Sequence, residues 1–171
     1  MHGFKYRARR ALPGRDSTRR LLQLRTLPSK SAWPVLGYLC LTIGRYGKPG
    51  ALRTDNERIV TGRVFTRMLW WMGIHHQRSE VGCPWQNGRI ERLFGTLKRK
   101  LDHWRVLNGG QLQAALQTFG FWYNAVRPHQ NLGGRTPLEV WNGVDPYQRM
   151  PKRVEWFEAW EGLLTGFYLS G

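Results

Sequence analysis

The chain has 171 residues and a mass of 20.0 kDa, enough for one domain with a true core and too few for two ordinary ones. Hydrophobic residues make up 41%, with nine Trp, seven Phe and six Tyr, which excludes a disordered polyelectrolyte. Twenty-seven Lys and Arg stand against 11 Asp and Glu, a net charge of +16 that favours a polyanionic partner.

Met1 to Arg20 is basic with little apolar patterning, so residues 1–18 are expected to form a disordered or non-native arm. Leu21 to Leu27 has strand composition and stops at Pro28. Ser29 or Ser31 then stands where it would cap a helix beginning near Ala32, with Pro34 in its first turn. Val35, Leu36, Leu39, Leu41 and Ile43 continue that helix to Gly44 or Gly47. Ala51 to Thr54 reads as a short strand that delivers Asp55 to its carboxyl end, where open α/β sheets place their ligands. A helix over about Arg63 to Met72, with Val64, Met68, Leu69 and Trp71 at helical spacing, closes at Gly73 before a strand over Ile74 to Arg78.

Ser79 to Gln86 reads as a loop. From Asn87 a long helix runs to about Trp104, with Ile90, Leu93, Phe94, Leu97 and Leu101 as its buried stripe and Glu91 and Lys98 off it. Asn108-Gly109-Gly110 breaks the chain. Leu112, Leu116, Phe119, Trp122 and Tyr123 mark the next helix, ending near Asn124, and Arg127-Pro128-His129 turns the chain. Thr136 is placed to cap a short helix over Leu138 to Trp141, with Glu139 near its positive end. Trp156 to Leu169 fits either a hairpin about Gly162 or Gly166 or a helical entry at Glu155 to Trp160.

Cys40 and Cys83 show neither zinc-site spacing nor disulfide density, which points to a reducing cytosolic setting. The most apolar stretch, Val35 to Ile43, is far shorter than a membrane span, so no membrane partner is expected. His75 and His76 have no thiols beside them and read as structural.

A strand ending in Asp55 and a helix presenting Glu91 suggest two carboxylates converging at one sheet edge. Hard oxygen donors of that kind suit Mg²⁺ or Mn²⁺ in phosphodiester displacement. Taken singly, each acid is more often a turn residue or a helix-dipole partner. Whole segments change that weighing. Gly47-Lys48-Pro49 with Arg53-Thr54-Asp55-Asn56-Glu57 resembles the second-aspartate block of the integrase core family, the retroviral-integrase-like domain of insertion-sequence transposases. Cys83-Pro84-Trp85-Gln86-Asn87-Gly88-Arg89-Ile90-Glu91-Arg92 followed by Phe94-Gly95-Thr96-Leu97-Lys98 resembles its glutamate helix, with 35 residues between Asp55 and Glu91. Tyr123-Asn124, Arg127-Pro128-His129, Leu132 and Thr136-Pro137-Leu138-Glu139 resemble its closing motif.

The resemblance covers roughly Arg19 to Gly143. It implies an α/β, RNase H-like fold: a mixed sheet flanked by helices, here expected to lack its first two strands. The expected organisation is a basic arm at 1–18, a partial catalytic core at 19–143 and a carboxyl-terminal extension at 144–171. The family's activity is DNA-end hydrolysis and strand transfer with Mg²⁺ or Mn²⁺, and the resemblance assigns Asp55 and Glu91 as catalytic, metal-holding acids. A third acid, on the family's first strand, has no counterpart; Asp16 falls in a turn. That leaves three expectations: an amino-terminally truncated transposase core that is active only if the missing aspartate is supplied from elsewhere, a remnant that binds DNA or pairs with an intact transposase, or a non-functional relic. Contacts to DNA are expected from Lys98, two helical turns beyond Glu91, and from Arg89, Arg92 and Lys100. Trp85 is weighed between stacking on an unpaired base and burial, and Arg127 and His129 between DNA contact and a self-bonded loop.

Overall fold

The computed structural model describes residues 5–8, 18–79, 88–104, 106–145 and 153–169; Asp16, Cys83 and Trp85 lie outside them. The chain divides into two compact units, one of residues 1–11 and 26–96, the other of residues 12–25 and 97–171.

In the first unit, strands β1 (Lys5–Ala8), β2 (Pro49–Thr54) and β3 (His75–Arg78) form a sheet in the order β1-β2-β3. β1 is antiparallel to β2, with Tyr6 opposite Leu52. β2 is parallel to β3, with Leu52 opposite His76. The basic amino-terminal segment, expected to be unpatterned, thus contributes four residues of ladder. The mixed sheet with its helices is the α/β architecture expected. Helix α1 (Ala32–Tyr46) leads into β2, and helices α2 (Arg58–Thr61) and α3 (Arg63–Trp71) form the crossover from β2 to β3. A parallel pair needs such a crossover because its two strands enter from the same end.

The core of this unit joins Val35, Leu36 and Leu39 of α1, Leu52 of β2, Val60 of α2, Phe65 and Leu69 of α3, and Ile74. The apolar positions of α1 and α3 divide between core and solvent. Leu41 of α1 is exposed while Thr42 is buried, its hydroxyl donating to the Tyr38 carbonyl at 2.8 Å. On α3, Phe65 and Leu69 face inward, and Val64, Trp70 and Trp71 are exposed. The inward pair is four residues apart and fits one helical stripe; Val64 and Trp71 fall beside it. Ser31 occupies the cap position of α1, but its side chain makes no capping bond and instead meets the Ser29 hydroxyl at 3.1 Å.

The second unit contains the chain beyond Thr96 together with residues 12–25. Helix α4 (Gly88–Asp102) begins in the first unit and ends in the second; α5 (Gly109–Phe121) follows, capped by Asn108, whose side chain accepts from the Gln111 N–H at 2.9 Å. A π-helical segment, Trp122–Val126, continues α5 where the sequence suggested an end. Such segments recur where a fold must re-aim its side chains. Helix α6 (Pro137–Asn142) carries the expected cap as a full capping box: the Thr136 N–H donates to Glu139 Oε2 at 2.7 Å, and the Glu139 N–H to Thr136 Oγ1 at 3.3 Å.

The aromatic tail forms a hairpin, β4 (Val154–Ala159) with β5 (Leu164–Leu169), turning through Gly162 at φ +83°. Of the alternatives, the hairpin stands and the helical entry does not. Phe121 contacts Phe157 and Tyr168, and the Trp122 indole donates to the Thr165 carbonyl at 3.0 Å. The segment expected as an extension is therefore packed into the same unit as the closing motif.

Leu21 to Leu27 is not a strand. At its start the Asn124 carboxamide takes the place of a ladder neighbour, accepting from the Leu21 N–H at 2.8 Å and donating to the Leu21 carbonyl at 2.7 Å. A side chain that satisfies both backbone groups removes the need for a partner strand there.

Candidate metal and nucleic-acid site

The carboxyl ends of β2 and β3 are laced together around Asp55. The Ser79 N–H and hydroxyl both donate to the Thr54 carbonyl, at 3.0 and 3.2 Å. Asn56 Nδ2 donates to the Ser79 carbonyl at 2.8 Å. The Thr54 hydroxyl donates to the Asp55 carbonyl at 3.0 Å and meets His76 Nε2 at 2.8 Å. His76 is half-buried and edge-on to Phe65 at 5.7 Å. Burial, then the charges of Arg78 and His75, lowers its pKa and favours the neutral ring. This agrees with a structural role for His76.

Asp55 leaves this clamp exposed, and among the described residues its Oδ1 accepts a long 3.4 Å contact from the Glu57 N–H. Asn56, a letter of the second-aspartate block, and Ser79, first residue of the expected loop, tie together the backbone on either side of Asp55, a role their letters did not display. The available signal was a short polar side chain directly after a strand, suited to bonding a neighbouring backbone.

Glu91 is exposed in the first turn of α4, in the same compact unit as Asp55. Both are hard oxygen donors open to solvent, which suits Mg²⁺ or Mn²⁺. Among the described residues no group of three or more His, Cys, Asp or Glu stands ready to hold a metal. The strand flanking β2 on its other side, β1, has the sequence Lys-Tyr-Arg-Ala and adds no acid.

The expected DNA contacts separate into classes. Lys98 is exposed two turns along α4 from Glu91. Arg92 is exposed, its Nε donating to the Gly88 carbonyl at 3.0 Å. Arg89 lies in the first turn of α4, and its side chain is outside the described set. The Lys100 ammonium donates to the Leu163 carbonyl and lies 5.7 Å from the Trp122 ring centre, both contacts within the second unit. Arg127 is held over Trp122 at 5.4 Å and Tyr123 at 5.9 Å.

His129 belongs to its own loop. It is 8% exposed and edge-on to Tyr123 at 4.6 Å, and its backbone bonds Leu132, Gly134 and Arg135. Burial, reinforced by Arg127 and Arg19 and opposed by the Tyr123 carbonyl, lowers its pKa to about 4. Its burial and the bonds its own loop makes support the self-bonded reading for this residue.

A helical crossover joins β2 to β3, Asp55 stands at the carboxyl edge of that mixed sheet and Glu91 on the next long helix, the arrangement expected of an RNase H-like fold. Residues 72–137 match the family model of the integrase core domain. It is 34% identical over 98 residues to an uncharacterized 39.2 kDa protein of insertion element IS476 from Xanthomonas euvesicatoria, covering 54% of this chain and 27% of that protein. It is 32% identical over 92 residues to a putative integrase of Spiroplasma virus SpV1-C74, covering 53% of this chain and 25% of that one. The chain thus spans about a quarter of the length of these relatives. The catalytic core domain of BIV integrase superposes with a TM-score of 0.56 at 21% identity, covering 74% of this chain and 80% of that one, a likeness of fold. Among the described residues no helix is long and apolar enough to cross a membrane.

Proposed function

We propose that the chain is a DNA-binding core of a transposition or integration system, in which Asp55 and Glu91 hold a divalent cation against a DNA phosphate. The observation that carries this is the clamp of Thr54, Asn56 and Ser79, which leaves the Asp55 carboxylate open at the sheet edge, in one compact unit with exposed Glu91. Mg²⁺ or Mn²⁺ held there would neutralise charge on the phosphate undergoing in-line attack. The end of β2 and the first turn of α4 fix the backbone beneath Asp55 and Glu91. Lys98 and Arg92, and Arg89 by its place on α4, would supply phosphate contacts that fix the register of the duplex. The Lys100 and Arg127 cations have aromatic partners within the fold and contribute less.

Two acids do not complete the family's catalytic set. With no carboxylate on β1, the chain by itself binds DNA without cutting it, and turnover requires an acid from elsewhere, such as an intact transposase paired with it. The test has two parts. Duplex binding followed by fluorescence anisotropy should weaken linearly in log salt, and Lys98→Ala should reduce that slope by about 0.9. Mn²⁺ titration by calorimetry should show weaker binding for Asp55→Asn and Glu91→Gln. Salt-independent DNA binding, or Mn²⁺ binding equal in all three proteins, would remove the reading. Strand transfer by the chain alone, abolished in either acid variant, would overturn the claim of incompleteness.

A further inference from the structure

Helix α3 buries Phe65 and Leu69 and turns a second stripe to solvent. Arg63, Thr66, Arg67 and Trp70, at steps of three and four, line an open cleft of about 510 Å³ on that side. Trp70 is 78% exposed, and α3 contributes no acid to balance the two guanidinium groups. Thr66 is a wall rather than a ligand, since its hydroxyl donates to the Gly62 and Arg63 carbonyls at 3.1 and 3.2 Å. An exposed indole beside two arginines matches a ligand that is at once anionic and flat-ringed.

We propose that this cleft binds single-stranded DNA, with backbone phosphates on Arg63 and Arg67 and one unpaired base stacked on Trp70. A guanidinium fork matches phosphate oxygens, and an indole stacks on any base whose face is free. Duplex DNA hides both faces of each internal base in its own stack, so Trp70 discriminates for the unpaired strand. Seven residues of helix separate Arg63 from Trp70, about 10 Å along the axis, a length that a short run of strand covers. The inference rests on DNA being the partner and adds a second surface, on a different helix from Glu91 and Lys98.

The experiment compares the full chain with Trp70→Ala, Trp70→Phe and the double variant Arg63→Gln/Arg67→Gln, each checked by circular dichroism for an unchanged fold. Labelled oligo(dT) and a duplex of equal length are titrated in parallel. Trp70→Ala should weaken oligo(dT) binding about tenfold while Trp70→Phe retains most of it, and duplex binding should stay within twofold. The double variant should lower the single-strand salt slope by about 1.4. Oligo(dT) affinity within twofold of wild type in Trp70→Ala and the double variant would overturn the proposal. So would a Trp70→Ala protein that loses self-association by gel filtration yet binds oligo(dT) unchanged, because the cleft would then be a contact between copies. Failure of the DNA reading itself appears separately, as salt-insensitive duplex binding.

Discussion

Acidification should destabilise the second unit through His129, and the size of the effect follows from its surroundings. The ring is buried against Tyr123, Nε2 lies 3.4 Å from the Tyr123 carbonyl, and its pKa falls from the ordinary 6.5 to about 4. Between those values the unfolded chain binds a proton that the folded one refuses. Stability contributed by the neutral ring is therefore complete above about pH 6.5 and is lost progressively as pH falls toward about 4. The whole shift is equivalent to about 3 kcal/mol at 1.36 kcal/mol per unit. Part of it comes from Arg127 and Arg19, whose charges salt screens, so about 2 kcal/mol is the working expectation. His129→Phe keeps an aromatic ring against Tyr123 and removes the titration. Urea unfolding of both proteins, followed by circular dichroism at pH 7.5, 6.5, 5.5 and 4.5, isolates the effect, because every other titrating group cancels in the difference. Wild type should lose about 2 kcal/mol relative to the variant across that range. A difference that stays flat with pH would refute the reasoning.

The Asn124 carboxamide satisfies both backbone groups of Leu21, so Asn124→Ala should cost about 2 kcal/mol and speed hydrogen exchange at the Leu21 amide; unchanged exchange would count against that role. Thr136→Ala removes half of the capping box of α6 and should lower stability by about 1 kcal/mol in chemical denaturation. Gly166 sits at φ +150°, and a Cβ there would come within 2.7 Å of Val126 Cγ1, so Gly166→Ala should cost about 1–3 kcal/mol. Adding Val126→Ala should relieve the clash and leave the backbone strain, a split that a double-mutant cycle reads directly.

Most helices of this protein were legible from spacing and caps. Thr136 three residues before Glu139 and the stepped apolar residues from Ile90 to Leu101 are local signals, and local signals survive the removal of everything distant; Asn108-Gly109-Gly110, read as a break, instead caps and opens α5. Asp55 and Glu91 were likewise legible because their motif neighbours are close in sequence. What the chain could not declare locally was pairing. Leu21 to Leu27 has strand composition, yet a strand exists only where a ladder partner lies alongside, and Asn124, 103 residues away, supplies the partner as a side chain. Lys5 to Ala8 lacks strand patterning, yet it pairs with β2 because that edge is open to it. The inward face of α3 was ambiguous for a similar reason: Val64, Phe65, Leu69 and Trp71 all offer apolar surface, and only the position of the sheet chooses among them. Lys100 and Lys98 are indistinguishable as letters, and the Leu163 carbonyl separates them. The sequence by itself determined most of the helices and the turn chemistry; the tertiary structure decided which strands pair, which helix faces are wet and which cations find partners within the fold, since each of those depends on groups far apart along the chain.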